Sequence, residues 1–445
     1  MTAYLLERAW LPESGGMRDD VLVEVEDGRF TAVTPDADPA RAVPVRGLVV
    51  PGLANTHSHA FHRALRGRTQ RGRGTFWTWR DQMYDVAARL DPEAYLALAR
   101  ATYREMAAAG ITCVGEFHYL HHRPDGTPYD DPNAMGLALV EAARQAGIRV
   151  TVLDTLYLSS GFGAPAEGVQ VRYSDGSVAR WAARVAGLEA GVDPAAARVG
   201  RAVHSVRAVA ETELAAVAAT MRDQPSQPFH VHLSEQVAEN EGCLAASGVT
   251  PARLLDRHGL LHDRTTLVHA THLTDDDIHL IGAARAHVSF CPTTERDLGD
   301  GIGPSRRLRD AGARLTLGSD SHAVIDPFEE MRAVELDERL ATQQRGHWTA
   351  AELLAAATTD GHASLGWPDA GAIAVGRRAD LVVIDPGTPR TAGTGRDEFT
   401  AVFAAAAEDV RRVMADGRWI VEDGDRAAIG RELDDAVTRT WEALA

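Results

Sequence analysis

Val49-Val50-Pro51-Gly52-Leu53-Ala54-Asn55-Thr56-His57-Ser58-His59 is an apolar run that closes on two histidines one residue apart. It reads as a short buried strand. Side chains of an extended strand alternate in direction, so His57 and His59 project to the same side, within reach of one metal ion. Alone, a His-x-His pair is a weak pattern that suits a surface or a core equally well. Three later strand-like runs also close on metal-competent residues: Phe229-His230-Val231-His232-Leu233-Ser234-Glu235, Thr266-Leu267-Val268-His269 and Leu315-Thr316-Leu317-Gly318-Ser319-Asp320. Together the four runs point to a single centre.

Between 49 and about 365, strand-like and helix-like segments alternate, the pattern of a parallel βα sheet. The further strands are Ile111–Phe117, Arg149–Leu153, Arg198–Val203 and His287–Cys291, which makes eight. Asp91-Pro92-Glu93 opens a helix through Ala109 that Gly110 stops. Eight such units form a (β/α)8 barrel, and barrel sites are built at the C-terminal ends of the strands, where every candidate residue falls. Residues 61–80 are polar and rich in Gly and Arg, and they read as a loop over the barrel mouth. Near the start, Tyr4–Leu6, Val21–Val25 and Arg29–Val33 are strand-like, with a turn at Glu26-Asp27-Gly28. Ala379–Ile384, Val410–Ala415 and Arg418–Val421 answer them near the end, with a turn at Ala415-Asp416-Gly417. The expected architecture is α/β: a barrel over 49–369, inserted in a small composite β-sandwich domain formed by 1–48 and 370–445.

Composition narrows the chemistry. The chain has 445 residues and a formal charge of −17, which argues against a phosphate-backbone binder and hence against nucleic acid as a partner. All 46 basic residues are arginine. The absence of lysine excludes Schiff-base chemistry, a P-loop and a two-metal site bridged by carbamylated lysine. No apolar run is long enough to cross a bilayer, and the first residues lack the pattern of a signal peptide. Cys113, Cys243 and Cys291 are far apart and odd in number, as in a reducing cytoplasm. We therefore expect a cytoplasmic protein with no membrane partner.

Zinc prefers imidazole and carboxylate, and a catalytic site leaves one position for water, whose pKa falls to about 7. His57, His59, His232 and Asp320 would supply the ligands. His230 lies on the same face, but His232 is favoured because Glu235 follows three residues on, beyond the strand end. Glu235 would move the proton of the attacking water to a leaving group, worth roughly 10²–10⁴ in rate. His269 would hydrogen-bond the attacking oxygen or the tetrahedral intermediate, with Asp320 serving both metal and chemistry. His322 reads as support for the ligands. His121, His122, His258, His272 and His287 carry no assigned role.

These motifs resemble the amidohydrolase superfamily in its mononuclear deaminase branch, and within it the formimidoylglutamate deiminases of histidine degradation. The resemblance rests on His57-Ser58-His59-Ala60-Phe61, Trp77-Thr78-Trp79-Arg80, Gly115-Glu116-Phe117-His118-Tyr119-Leu120-His121-His122, Ala202-Val203-His204-Ser205-Val206-Arg207, His230–Gln236 and Cys291-Pro292-Thr293-Thr294-Glu295, and it spans the whole chain. It implies one zinc per subunit, with iron or manganese able to occupy similar ligands. It also implies a small-molecule substrate with a cationic formamidine and two carboxylates, and a homodimer. Arg80 and Arg207 suit those carboxylates, because guanidinium binds carboxylate as a bidentate fork. Tyr119 and His204 are similar to family residues that contact the substrate. His62 stands where glutamine is expected. The rivals are a guanine, pterin or S-adenosyl-type deaminase, a triazine hydrolase and a non-catalytic barrel.

Overall fold

Eight parallel strands run in chain order around a barrel: Leu53–Ser58, Ile111–His118, Arg149–Leu156, Ala197–Val203, Phe229–Leu233, Thr265–His269, His287–Phe290 and Arg314–Leu317. The computed structural model describes every residue except 38–41, 72–75, 223, 225 and 443–445, and the backbone alone at 76 and 77. Strands such as Ile111–His118 are buried along their whole length, as a parallel sheet covered by helices requires. The helix expected after Asp91 runs Pro92–Ala108, with the Asp91 side chain accepting from the Ala94 amide.

The last barrel strand closes onto the first. Ser58 and Asp320 form a parallel bridge. The Ser319 and Asp320 amides donate to the His57 carbonyl at 3.1 and 3.0 Å. Asn55 clamps the seam from the side, with Nδ2 donating to Ser319 Oγ at 2.7 Å and Oδ1 accepting from the Ser319 amide at 3.0 Å.

A second sheet joins the two ends of the chain, in the order Arg418–Val421, Val410–Ala415, Leu381–Ile384, Val43–Pro51, Thr2–Leu11, Gly16–Glu26 and Arg29–Thr34. Its two Asp-Gly hairpin turns have left-handed backbone at both residues, Asp27 and Gly28, and Asp416 and Gly417. Two expectations need correction. The run from Val49 to His59 is two strands, because Val43–Pro51 pairs with Leu381–Ile384 in the second sheet. Gly52 makes the crossing from sheet to barrel, and a Cβ there would collide with Thr112 and Asp380. Residues 61–80 are also no simple loop. Ala60–Leu65 is a 3-10 turn with Phe61, His62, Ala64 and Leu65 buried, and Phe76–Ala87 is a helix. Part of that stretch, 72–75, lies outside the described residues, as does the Trp77 side chain.

Candidate active site

Four side chains from three distant parts of the chain meet at the C-terminal mouth of the barrel. His57 is the last residue but one of the first strand and His59 follows it, their rings 4.8 Å apart. His232 comes from the fifth strand and Asp320 from the turn after the eighth. His57 Nε2 lies 3.0 Å from His232 Nε2, and Asp320 Oδ1 lies 3.3 Å from Nε2 of both His57 and His59. Donors about 2.0–2.1 Å from a tetrahedral zinc sit about 3.3 Å from one another, so these spacings fit one small cation.

Tautomers support the fit. His59 Nδ1 donates to the Phe117 carbonyl at 3.0 Å, and His232 Nδ1 donates to the His204 carbonyl at 2.9 Å. Each ring then offers Nε2 as a lone pair toward the common point. Burial lowers the His59 pKa to about 3, with the neighbouring His57 adding to the shift. Burial likewise holds His57 and His232 below the ordinary imidazole value. Neutral rings are the metal-binding form. At Asp320 burial raises the pKa, but the hydrogen bond to His57 and the positive charge of His269 help overcome it and keep the carboxyl ionised. His322 bridges Ser319 Oγ at 3.0 Å and Ser58 Oγ at 3.1 Å, which steadies the loop carrying Asp320.

Beside the cluster, His269 Nε2 is 3.7 Å from Asp320 Oδ2 and its Nδ1 is 3.3 Å from Glu295 Oε1. Burial alone would lower its pKa, yet Glu235, Glu295 and Asp320 together raise it to about 10. Glu235 opens onto the same cavity, which Arg80, Tyr119, His204, Arg207 and His62 also line. His57 sits just behind that surface, fully buried. His62 Nε2 is 3.2 Å from the Tyr119 hydroxyl, and burial with the nearby His59 keeps it neutral. Two arginines, Arg80 and Arg207, and the metal-competent residues thus line one cavity.

Sequence reasoning left out several of the walls. Tyr84, Tyr157, Tyr173 and Gln170 line the cavity, and Gln170 Nε2 ties the first two together at 2.9 and 3.0 Å. Glu295 carries no role on sequence grounds, although its spacing of four from Cys291 lets Oε1 accept the Cys291 amide at 2.9 Å. His230 stays below the cluster, 3.4 Å from the Ser364 carbonyl. His118, His121 and Asp154 form a second metal-competent group. There Asp154 already accepts from both Arg184 terminal nitrogens (2.6 and 2.8 Å) and from the Trp181 indole, so a fixed cation neutralises it.

The amidohydrolase family model matches residues 48–420. The chain belongs to that family, and its (β/α)8 barrel with a terminal sheet is the scaffold on which the cluster sits. Among relatives, it is 39% identical to the formimidoylglutamate deiminase of Pseudomonas aeruginosa, over 96% of each chain. It is 28% identical to a 5-methylthioadenosine/S-adenosylhomocysteine deaminase of Natronomonas pharaonis, over 95% of this chain and 94% of that one. Among solved structures, an amidohydrolase from Brucella melitensis superposes with a TM-score of 0.90 at 33% identity, covering 100% of both chains. An adenosine deaminase from Xanthomonas campestris with bound zinc gives 0.84 at 26% identity, over 99% of this chain and 98% of that one.

Proposed function

We propose that this chain hydrolyses N-formimidoyl-L-glutamate to N-formyl-L-glutamate and ammonia, a deimination in histidine degradation. The observation that carries the reading is the pairing of two arginines, Arg80 and Arg207, with a metal-competent cluster in one cavity. A guanine edge engages one guanidinium fork through O6 and N7, whereas a dicarboxylate uses two. The 39% identity to a formimidoylglutamate deiminase supports the same assignment.

In this reading His57, His59, His232 and Asp320 hold one divalent ion. Zinc is favoured by the donor set and by the bound zinc of the Xanthomonas campestris structure. Such an ion supplies Lewis acidity and a water that ionises at about pH 7. Arg80 and Arg207, assisted by Tyr119 and His204, fix the carboxylates and aim the formamidine carbon at the cluster. Glu235 takes a proton from the attacking water. His269, held between Glu295 and Asp320, donates to the charge that develops on the tetrahedral centre. Glu235 then delivers the proton to the departing nitrogen: the carbon gains an oxygen, loses ammonia and becomes a formyl group. His62 lines the wall beside Tyr119. No helix among the described residues is long and apolar enough to cross a membrane. Cytoplasmic location and a homodimer complete the proposal.

The test is ammonia release by the zinc-loaded protein from N-formimidoyl-L-glutamate, with formimidoyl-L-aspartate, guanine and 5-methylthioadenosine as controls. Turnover of a purine in preference to the dicarboxylate would remove the assignment. Chelation should abolish activity and zinc should restore it.

A further inference from the structure

Glu239 stands four residues beyond Glu235, in the opening turn of the Val237–Ser247 helix. Its side chain is fully buried. Among the described residues, neither of its carboxylate oxygens makes a hydrogen bond of good geometry, although the Ser234 amide lies near enough to favour its ionised form. A carboxylate removed from water without hydrogen bonds is costly, and it persists where a cation compensates it. Here the cation is Arg207, whose Nε lies 3.5 Å from Glu239 Oε2, an ion pair without hydrogen-bond geometry. The same guanidinium extends toward Glu235, with Nη2 4.0 Å from Oε2. Arg207 follows the Ala197–Val203 strand, and its side chain keeps 32% exposure on the cavity wall.

An acid in the first turn of a helix also suits the helix dipole, which would be a purely local role. That role does not call for burial, nor for a guanidinium in front of the carboxylate. The arrangement is better explained by what it does to the arginine. A long, flexible side chain that must be ordered on binding weakens affinity, and fixing it beforehand removes that cost.

We propose that Glu239 is a positioning residue: it anchors Arg207 by its Nε side so that the two terminal nitrogens are presented to a substrate carboxylate. Glu235 and Glu239 thus flank one arginine, the first facing the reaction and the second facing the protein. The inference rests on the carboxylate-binding role given to Arg207 above. It assigns no chemistry to Glu239 itself.

The experiment compares zinc-loaded wild type, Glu239→Gln and Glu239→Asp. Kinetics with N-formimidoyl-L-glutamate are paired with calorimetric titration of glutarate, which keeps both carboxylates and lacks the amidine. For Glu239→Gln we expect KM and the glutarate Kd each to rise about tenfold, with kcat changed less than about threefold and zinc content unaltered. Glu239→Asp, which restores the charge one methylene short, should fall between, and it carries the test should the glutamine variant not fold. KM and Kd within about twofold of wild type would overturn the proposal. So would a loss of kcat with both unchanged, which would put Glu239 behind Glu235 instead. If wild type releases no ammonia from this substrate, the proposed function fails, while the glutarate titration still reads the Glu239–Arg207 link.

Discussion

His59 and His232 show how single side chains are prepared for their task. Each spends its Nδ1 proton on a backbone carbonyl and keeps Nε2 for the cluster, and burial keeps the rings neutral. His269 is the opposite case: three carboxylates around it hold a charge that burial would remove. Glu235, one of those three, lines the same cavity as His59, His232 and Asp320. Glu235→Gln keeps the shape and loses the proton carrier, so kcat should fall by roughly 10²–10⁴ with zinc retained. Wild-type turnover in that variant would refute the assigned role. Arg207→Met removes a fork but leaves the metal donors in place, so KM should rise while metal content holds. Unchanged KM and kcat would dispose of the carboxylate clamp.

At the level of strands and turns, the site is made by sharp departures from the barrel. Ser234, His269, Ala270, Asp320 and His322 all have left-handed backbone. For non-glycine residues such backbone costs on the order of 1–3 kcal/mol each and tends to collect at functional sites. These residues end the fifth, sixth and eighth strands, where the chain must turn within one residue to aim a side chain inward. Gly318 serves the same end by being small: a Cβ there would lie 2.7 Å from His57 Cβ and 2.8 Å from Cys291 Sγ. Gly318→Ala should therefore push the first and eighth strands apart and weaken zinc binding, which equilibrium dialysis would measure. Zinc affinity equal to wild type would show that the seam can give way without moving His57.

Over the whole molecule, the barrel and the terminal sheet share one apolar core, and a buried ion pair also joins them. Arg149 of the third barrel strand is bonded to Asp380, and its Nη1 also lies 3.0 Å from Asp416 Oδ1. Arg149 and Asp380 are both buried. Breaking such a pair from one side strands a charge, so Arg149→Met should cost about 3–5 kcal/mol in unfolding free energy, read by denaturant titration. The pair also predicts a pH response. Burial raises the Asp380 pKa, but Arg149 outweighs it and the carboxyl ends below its ordinary value. Asp175 behaves alike: burial opposes, and hydrogen bonds from His122 and Arg184 prevail. A carboxyl with a depressed folded pKa contributes stability that is complete above its unfolded value, about 3.9, and is lost as pH falls toward the folded one. The melting temperature should thus show no loss from these groups above about pH 5 and should drop below about pH 4. The drop should be smaller in Arg149→Met.

The eight barrel strands, the six terminal strands quoted from the sequence and the identity of the four metal-competent residues were legible in the chain itself. Strand periodicity and ligand chemistry are local properties: a His-x-His or a His-x-x-Glu carries its meaning in a few consecutive residues. The break at Gly52, the strand Val43–Pro51 that stitches the two ends, and the helix that begins inside 61–80 were not legible. They depend on which remote segments lie alongside, as Asp380 and Thr112 do at Gly52. For the same reason only the tertiary structure brought His57 within 3.0 Å of His232, 175 residues away. It likewise set Glu295 against His269 and Glu239 behind Arg207. Sequence determined which donors the protein possesses; closure of the barrel, strand eight onto strand one, determined which of them share a point in space.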